Sequence, residues 1–337
     1  MNHKSKNKKI DFVAIGDVTT DAFVRLKDAN VSCDINREKC QLCMRFGDKI
    51  PYDFVTIVPA VGNSPNAAVS AARLGLSSAL VSDVGNDRNG EECIEQLKKS
   101  NVQCDFIRVH PDKPTNYHYV LWFEDERTIL IKHEDFGYDG VPEGIGTPKW
   151  IYLSSLGEQS VIFQHKIGKF IHEHPEVNLA FQPGTFQMRL GREKLADIYE
   201  RTKIFICNTE EARRILMTQE KEPKNLMRAL AECGPEIILL TDGPRGAYAF
   251  DAGTYWFMPP YPDPKPPYER TGAGDAFSST FVSALALGKS IPEALRWAPI
   301  NAMSVVQCIG AQEGLLSRDQ LEEYLKNAPS DYVAKKI

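Results

Sequence analysis

The sequence has no excess of basic residues, since 40 lysines and arginines stand against 45 acidic residues in 337, for a net charge of -5. A chain with this balance has no general attraction to polyanions such as DNA. Long apolar runs are also missing: residues 237–240 are typical, and they fall far short of the roughly 18 to 20 residues that span a bilayer. We therefore expect no nucleic-acid partner and no membrane partner.

A secretory signal is not expected either, because residues 1–9 are basic and polar and have no apolar stretch. We interpret them as a disordered basic tail. The eight cysteines are mostly far apart in the sequence, which favours reduced thiols over a disulfide framework and predicts a cytoplasmic protein. Cys40 and Cys43 have the spacing of zinc ligands, but no second pair lies nearby, so free thiols are the preferred interpretation for Cys33, Cys40 and Cys43.

No Pro/Gly/Ser linker and no internal repeat divides the chain, so we expect one domain over residues 10–330 and a C-terminal tail at 331–337. Short β-branched runs alternate with helical patterns along this domain. Strands are predicted at residues 10–15, 79–84, 150–153, 178–181, 203–207 and 236–241. Helices are predicted at residues 66–74, 90–100, 163–173, 193–201, 210–217 and 225–233. This alternation predicts a doubly wound α/β fold with a mostly parallel sheet.

One segment interrupts the alternation. Residues 25–60 are largely polar, and residues 52–58 alternate as in a half-exposed strand. Residues 117–123 and 128–132 suggest a hairpin. We expect residues 25–60 and 115–133 to form a small β lid over the carboxyl edge of the sheet, where open α/β sheets bind ligands.

The strongest local pattern is residues 269–277, Glu-Arg-Thr-Gly-Ala-Gly-Asp-Ala-Phe, which precede a small, apolar helical segment. The glycines permit a tight turn, and the free N–H groups of the helix start form an anion site. Asp275 in this first turn is open to two interpretations. It is either a cap that offsets the helix dipole or, if a phosphoryl group sits on the turn, a base for an attacking hydroxyl.

Two common nucleotide motifs are absent. The chain lacks G-x-x-x-x-G-K-[ST], which excludes a P-loop enzyme, and it lacks G-x-G-x-x-G after the first strand, which disfavours a nicotinamide oxidoreductase. Polar residues instead follow several predicted strands at one edge of the sheet. These junctions are the aspartates after the first strand and residues 62–68, 208–212 and 241–246.

Taken in this order, the junctions and the Thr-Gly-Ala-Gly-Asp segment resemble the ribokinase-like (PfkB) family of carbohydrate kinases, over roughly residues 10–325. The resemblance implies a ribokinase-like three-layer α/β/α sandwich with a small β lid. It also implies ATP-dependent phosphorylation of a sugar hydroxyl with Mg²⁺ as cofactor. By the same analogy Asp275 is the catalytic base, and the anion hole for the transferring phosphate is formed by Gly272, Ala273 and Gly274.

The resemblance assigns the remaining site residues as well. Sugar hydroxyls would be bound by Asp21, Gly62, Asn63 and Asn66. Asn208 and Glu211 would face the triphosphate and its Mg²⁺, with the glutamate acting through water. The nucleotide would be bordered by Thr241, Gly243 and Gly246, with Asn301 beneath the adenine.

The sequence departs from the family pattern at three positions. It has Val61-Gly62 where the family often has two glycines, and Gln182 where many relatives carry Asn or Asp. It has Glu269 where the family often has an aspartate that helps to bind a monovalent cation, so such a cation is left open.

Several alternatives also stay open. A nucleoside kinase shares the fold and motifs, and a catalytically silent relative could bind nucleotide or sugar as a sensor. A homodimer through the exposed lid strand is expected as a further possibility, because an edge strand offers unpaired N–H and C=O groups.

Overall fold

The computed structural model describes residues 9–33, 40–124 and 126–337. The strands in chain order are β1 (Phe12–Ile15), β2 (Thr19–Leu26), β3 (Asn30–Ser32), β4 (Gln41–Cys43), β5 (Tyr52–Val61), β6 (Ser78–Gly85), β7 (Val102–Gln103), β8 (Ile107–His110), β9 (Tyr117–Phe123), β10 (Glu126–Leu130), β11 (Trp150–Leu153), β12 (Asn178–Phe181), β13 (Thr202–Asn208), β14 (Ile237–Thr241), β15 (Ala247–Asp251), β16 (Thr254–Met258) and β17 (Lys335–Lys336). The α-helices are α1 (Asn63–Arg73), α2 (Arg88–Lys99), α3 (Val161–Glu173), α4 (Thr185–Leu190), α5 (Ala196–Arg201), α6 (Thr209–Leu216), α7 (Pro223–Ala231), α8 (Ala273–Ala286), α9 (Ile291–Val305) and α10 (Arg318–Lys326).

The main sheet is parallel through its centre. Its order is β17-β16-β15-β14-β13-β12-β11-β1-β6-β7, and β8 also pairs with β6. The strands from β14 to β6 pair in parallel, whereas β15, β16 and β17 add an antiparallel edge. All central strands therefore end at one edge of the sheet, and this brings the polar junctions of the sequence together.

Hydrophobic cores lie on both faces of this sheet. Successive residues of β1 point to opposite faces, so that Phe12 and Ala14 pack in one core and Val13 and Ile15 in the other. The first core includes residues of α1, α8 and α9, and the second includes residues of α3, α6 and α7. The structure thus confirms the predicted three-layer α/β/α sandwich with a mostly parallel sheet.

A second, four-stranded sheet in the order β10-β9-β2-β5 forms the lid. The hairpin of β9 and β10 is confirmed, although its second strand begins at Glu126 rather than at residue 128. The lid begins at Thr19, earlier than the predicted residue 25, because β2 follows β1 after a short turn and pairs with both β5 and β9. Asp21 consequently lies on a lid strand.

The prediction of free thiols for Cys33 and Cys40 is wrong, because these two residues form a disulfide. The strands β3 and β4 pair Ser32 with Gln41, so the next residues, Cys33 and Cys40, lie opposite each other with their Cα atoms 4.0 Å apart. Cys43 is free and exposed. Cys40 is thus unavailable to zinc, and within the described ranges there is no cluster of three His, Cys, Asp or Glu side chains that could hold a metal.

Both chain ends were predicted to be tails. Residues 1–8 of the predicted basic tail lie outside the described residues, as do residues 34–39 of the predicted lid. At the other end, Tyr332 is buried and its hydroxyl donates to the carbonyl oxygen of Arg296, 2.7 Å away. β17 extends the main sheet beside β16, so the predicted C-terminal tail packs on the domain. Of the helices in the described part of the chain, none has the length and apolarity needed to cross a bilayer.

Candidate active site

A cavity of about 390 Å³ lies at the carboxyl edge of the main sheet, between that edge and the lid. The structure brings most of the predicted site residues to it. The predicted residues that line the cavity are Asp21, Gly62, Asn63, Asn66, Asn208, Glu211, Thr241, Gly272, Gly274 and Asp275. The predicted acceptor, catalytic and phosphate-facing groups therefore share one space.

The glycine turn begins α8 at the floor of this cavity. Gly272 is the N-cap residue, with φ of 80°, and a Cβ atom here would lie 2.2 Å from the Cβ of Ala311. Only glycine fits this backbone and this close approach. Gly274 has open space where a Cβ would be, because it faces the cavity. Ala273 does not line the cavity, and its N–H donates a long bond of 3.5 Å to the carbonyl oxygen of Arg270. The backbone at Gly272 and Gly274 is thus better placed to contact an anion in the cavity than the backbone at Ala273.

Three amide side chains surround the carboxylate of Asp275. Asn63 Nδ2 donates to Oδ1 over 2.8 Å, and Gln182 Nε2 donates to the same oxygen over 3.3 Å. Asn66 Nδ2 donates to Oδ2 over 2.9 Å. Asn63 and Asn66 lie in the first turn of α1, so the entries of α1 and α8 meet at this carboxylate.

The pKa of Asp275 is raised above that of an ordinary aspartate because burial disfavours its charged form. The hydrogen bonds from Asn66, Asn63 and Gln182 and the positive charge of Arg127 oppose this shift. A carboxylate with a raised pKa is a better proton acceptor than an exposed one, so the site fits a general base.

Asn208 and Glu211 form a capping box at the start of α6. The Glu211 carboxylate accepts from the Asn208 N–H over 2.9 Å, and the Asn208 side chain accepts from the Glu211 N–H over 2.8 Å. Burial raises the pKa of Glu211, and the negative charge of Asp275 acts in the same direction. A cation here would favour the ionised form. Magnesium is commonly held by one or two carboxylates, several waters and substrate phosphates, and Glu211 fits that donor set.

The acceptor end of the cavity contains residues beyond those predicted. Asp21 pairs with His118 across β2 and β9, with its Oδ1 3.4 Å from His118 Nδ1. Asp17 accepts from the Tyr138 hydroxyl over 2.8 Å, and its other oxygen lies 2.7 Å from His133 Nδ1. Asp17, His118 and His133 all line the cavity. The two aspartates after the first strand were visible in the sequence, but nothing there indicated their histidine partners.

The lid also contributes Arg127 to the cavity lining, together with the apolar side chains of Ile129 and Ile131. Arg127 Nε lies 3.8 Å from the buried Glu269 Oε1, which in turn accepts from the Thr271 N–H over 2.7 Å. No sequence motif marks these lid residues. The sequence indicated only the hairpin, which predicts the fold of this segment but not that Arg127 approaches Glu269.

Three predicted nucleotide residues do not line the cavity. Gly243 and Gly246 belong to the turn that follows β14. Asn301 is fully buried, and its side chain donates to Thr280 Oγ1 over 2.8 Å and accepts from the Leu316 N–H over 2.9 Å. Both ends of its amide are thus engaged in joining α9 to α8 and the following loop, and its position beneath the adenine stays a prediction.

Comparison with known proteins agrees with this architecture. The chain is 28% identical to the ribokinase of Bacillus subtilis over 272 residues, covering 78% of this chain and 87% of that protein. A nucleoside kinase of Methanocaldococcus jannaschii superposes with a TM-score of 0.77 at 18% identity, covering 95% of this chain and 99% of that one. Arabidopsis thaliana ribokinase, in a structure complexed with ribose and ATP, gives 0.76 at 22% identity, with the same coverage.

These structural likenesses establish a ribokinase-like fold. Residues 59–318 match the pfkB family carbohydrate kinase, and this match covers most of the chain, including the α1 entry, the capping box and the glycine turn. The chain therefore belongs to the pfkB family of carbohydrate kinases.

Proposed function

We propose that this protein transfers the γ-phosphate of ATP to a hydroxyl of a sugar or sugar-like acceptor, with Asp275 as the general base. One observation carries the proposal. The Asp275 carboxylate, the glycine turn and the acceptor-end residue Asp21 line a single cavity. A base, an anion-binding turn and polar groups for a polyol are what phosphoryl transfer to an alcohol requires.

In the proposed step, the acceptor oxygen forms a bond to the γ-phosphorus as the bond from that phosphorus to its bridging oxygen breaks. The ADP that leaves keeps the electron pair, and Asp275 takes the hydroxyl proton. General base catalysis of this kind typically contributes about 10² to 10⁴ in rate. Asp275 Oδ2 accepts one amide hydrogen bond and Oδ1 accepts two, so Oδ2 has the free capacity to take the proton.

The other residues bind and orient. Asp21 and Asn66 would hold the acceptor hydroxyls by paired hydrogen bonds. The N–H groups at Gly272 and Gly274 would stabilise charge on the transferring group, at about 2.7 to 4 kcal/mol for each well-placed donor. Asn208 and Glu211 face the same space from α6, where Glu211 would hold Mg²⁺ through water. The metal would neutralise phosphate charge there. Whether a monovalent cation binds near Glu269 stays a separate prediction.

A nucleoside acceptor is the second candidate. The acceptor end has apolar surface from Phe186, Ile129 and Ile131 beside its carboxylates, and such surface can pack against a base. The structural similarity to an archaeal nucleoside kinase supports this alternative. We also propose that the exposed edge strand β5, which presents Tyr52, Val55 and Ile57, pairs with a second copy of the chain.

The test is an ADP-release assay with ATP, Mg²⁺ and a panel of ribose, fructose, 2-keto-3-deoxygluconate, adenosine and inosine. We expect ADP release that depends on one of the three sugars, with phosphate transferred to its hydroxyl. Release with adenosine or inosine alone would favour the nucleoside alternative. If ATP stabilised the protein against heat but no acceptor supported ADP release, a catalytically silent relative would be the better description.

A further inference from the structure

Gln182 follows β12 and lines the cavity beside Asp275. Its Oε1 accepts a hydrogen bond from the hydroxyl of Tyr152, and its Nε2 donates to Asp275 Oδ1 over 3.3 Å. Tyr152 lies on the neighbouring strand β11 and is fully buried. The Gln182 amide thus connects a buried tyrosine to the proposed base.

The direction of this connection follows from the chemistry of its two ends. Burial raises the pKa of Tyr152 well above its ordinary value, and the negative charge of Asp275 adds to the shift. The tyrosine therefore stays protonated and donates its O–H. If the amide were reversed, its oxygen would face the Asp275 carboxylate, which can only accept when ionised. Tyr152 accordingly keeps the NH₂ group of Gln182 turned towards Asp275.

The amide of Gln182 differs from the other two that contact Asp275. Asn63 and Asn66 are proposed acceptor ligands, so a bound acceptor competes for their N–H groups. Gln182 is not a proposed acceptor ligand, and its Oε1 is held by Tyr152, so we expect its donor to remain on Asp275 Oδ1 when the acceptor binds. Asn66 is anchored in a similar way, because its Oδ1 accepts from Gln312 Nε2 over 3.0 Å. Because Asp275 Oδ1 accepts two amide hydrogen bonds and Oδ2 only the one from Asn66, Oδ2 keeps the lone pair that can face the acceptor hydroxyl.

We propose that Gln182, oriented by Tyr152, is a positioning residue that holds the Asp275 carboxylate ionised and directs its Oδ2 to the acceptor hydroxyl. This inference rests on the proposed role of Asp275 as base. Other charged or titratable side chains line the same cavity and are left unchanged in the test. They are Asp17, Asp21, His118, Arg127, His133, Cys207, Glu211 and Arg270.

The test measures kcat/KM and kcat against pH for Q182M, Q182E, Y152F and the Y152F/Q182M double variant. Q182M removes a donor that favours the ionised carboxylate of Asp275. The acid limb of the pH profile, which follows the pKa of this base, should therefore move up by about one pH unit. Activity should fall most at low pH and recover as pH rises. Q182E keeps the shape but brings in a second carboxylate, and two close carboxylates share a proton, so its shift should be larger.

Y152F should shift the acid limb in the same direction by less, because Gln182 keeps its donor but loses its orientation. The double variant should match Q182M, since Tyr152 acts only through the amide. Q187M is a matched control. Gln187 is also buried and donates to the Ser154 carbonyl oxygen over 3.0 Å, but it does not line the cavity. We expect Q187M to lower the unfolding midpoint without moving the acid limb.

An unchanged acid limb in Q182M would overturn the inference, as would additive shifts in the double variant. If Q182M does not fold, Y152F, which keeps Gln182 and adds no charge, carries the test, and an unchanged acid limb in Y152F would overturn the inference. The D275N variant distinguishes a failure of the proposed base role of Asp275 from a failure of the positioning role of Gln182. If D275N keeps wild-type activity, Asp275 is not the base. If D275N is inactive while the Gln182 variants keep the wild-type profile, only the positioning role is wrong.

Discussion

The main sheet and the lid build opposite ends of one cavity by different means. Central strands such as β1 and β11 are buried along their whole length on both faces. In the lid, β2 is mostly buried, but residues 53–58 of β5 alternate between exposed and partly buried, and most of β10 is exposed. The glycine turn and the capping box lie at the edge of the main sheet, whereas the lid contributes Arg127, His118 and Ile129. The phosphoryl end is thus built on a closely packed edge, and the acceptor end on a half-exposed sheet.

This difference predicts which end of the cavity governs catalysis and which governs the choice of acceptor. Groups on rigid elements hold the geometry that phosphoryl transfer needs. A sheet with one solvent-facing side tolerates changes in its side chains more readily, because fewer of them are packed in a core. We therefore expect substitutions at the main-sheet end to lower kcat, and substitutions at the lid end to raise the KM for the acceptor.

The largest effect is expected for Asp275→Asn. The amide cannot take the hydroxyl proton, so kcat should fall by about a hundredfold or more, while ATP affinity should stay nearly intact. Steady-state kinetics and ATP titration measure the two quantities. Activity within about tenfold of the wild type would remove Asp275 from the role of base.

The glycine turn provides a matched pair of variants. Gly272→Ala forces a side chain into a left-handed backbone and against Ala311, so the free energy of unfolding should fall by about 2 to 5 kcal/mol. Gly274→Ala has open space for its methyl group and should leave this free energy nearly unchanged. Its methyl group enters the cavity, however, and should weaken ATP binding by about tenfold.

Denaturant unfolding and ATP titration of both variants separate the two effects. Equal stability loss in G272A and G274A would mean that Gly274 is packed rather than open. Tight ATP binding by G274A would mean that the triphosphate does not reach this turn.

At the lid end, Asp21→Ala should raise the acceptor KM by about tenfold or more, with a smaller change in kcat. Asp21 supplies a carboxylate that would bind the acceptor, and it takes no part in the proposed bond-breaking step. Asp53→Ala, on the exposed part of β5, is the control and should leave both constants unchanged. An unchanged acceptor KM in D21A would show that the acceptor pocket has been assigned to the wrong residues.

The same contrast explains how much the sequence could predict. The parallel strands were predicted because buried β-branched runs such as residues 236–241 have a strong pattern. Asp275, Asn66 and Asn208 were predicted to share a site because they belong to short motifs at strand or helix ends. These are local signals, and the topology of a doubly wound sheet brings them together. The hairpin at β9 and β10 was also local and was predicted.

What could not be predicted depends on contacts between distant segments. Arg127 and His133 reach the cavity only because the lid folds over the main sheet, and the Cys33–Cys40 disulfide depends on the register of β3 and β4. Asn301 shows the same limit. Its nucleotide role was implied only by the family resemblance, and the hydrogen bonds of its side chain to Thr280 and the Leu316 N–H are visible only in three dimensions.

The smallest effect on global stability is expected from Cys33→Ser/Cys40→Ser, which removes the disulfide of the separate two-stranded sheet formed by β3 and β4. Closing a loop of this length restricts the unfolded hairpin by about 2 to 3 kcal/mol in the chain-entropy description. All of β3 and most of β4 are exposed, so the hairpin should open locally and the global unfolding midpoint should change by less than about 1 °C. Limited proteolysis within residues 27–50 should become faster. Cys43→Ser, which leaves the disulfide intact, should change neither property. A fall of several degrees in the midpoint would instead mean that this hairpin stabilises the main sheet, and the separation between a closely packed phosphoryl end and a half-exposed lid region would fail.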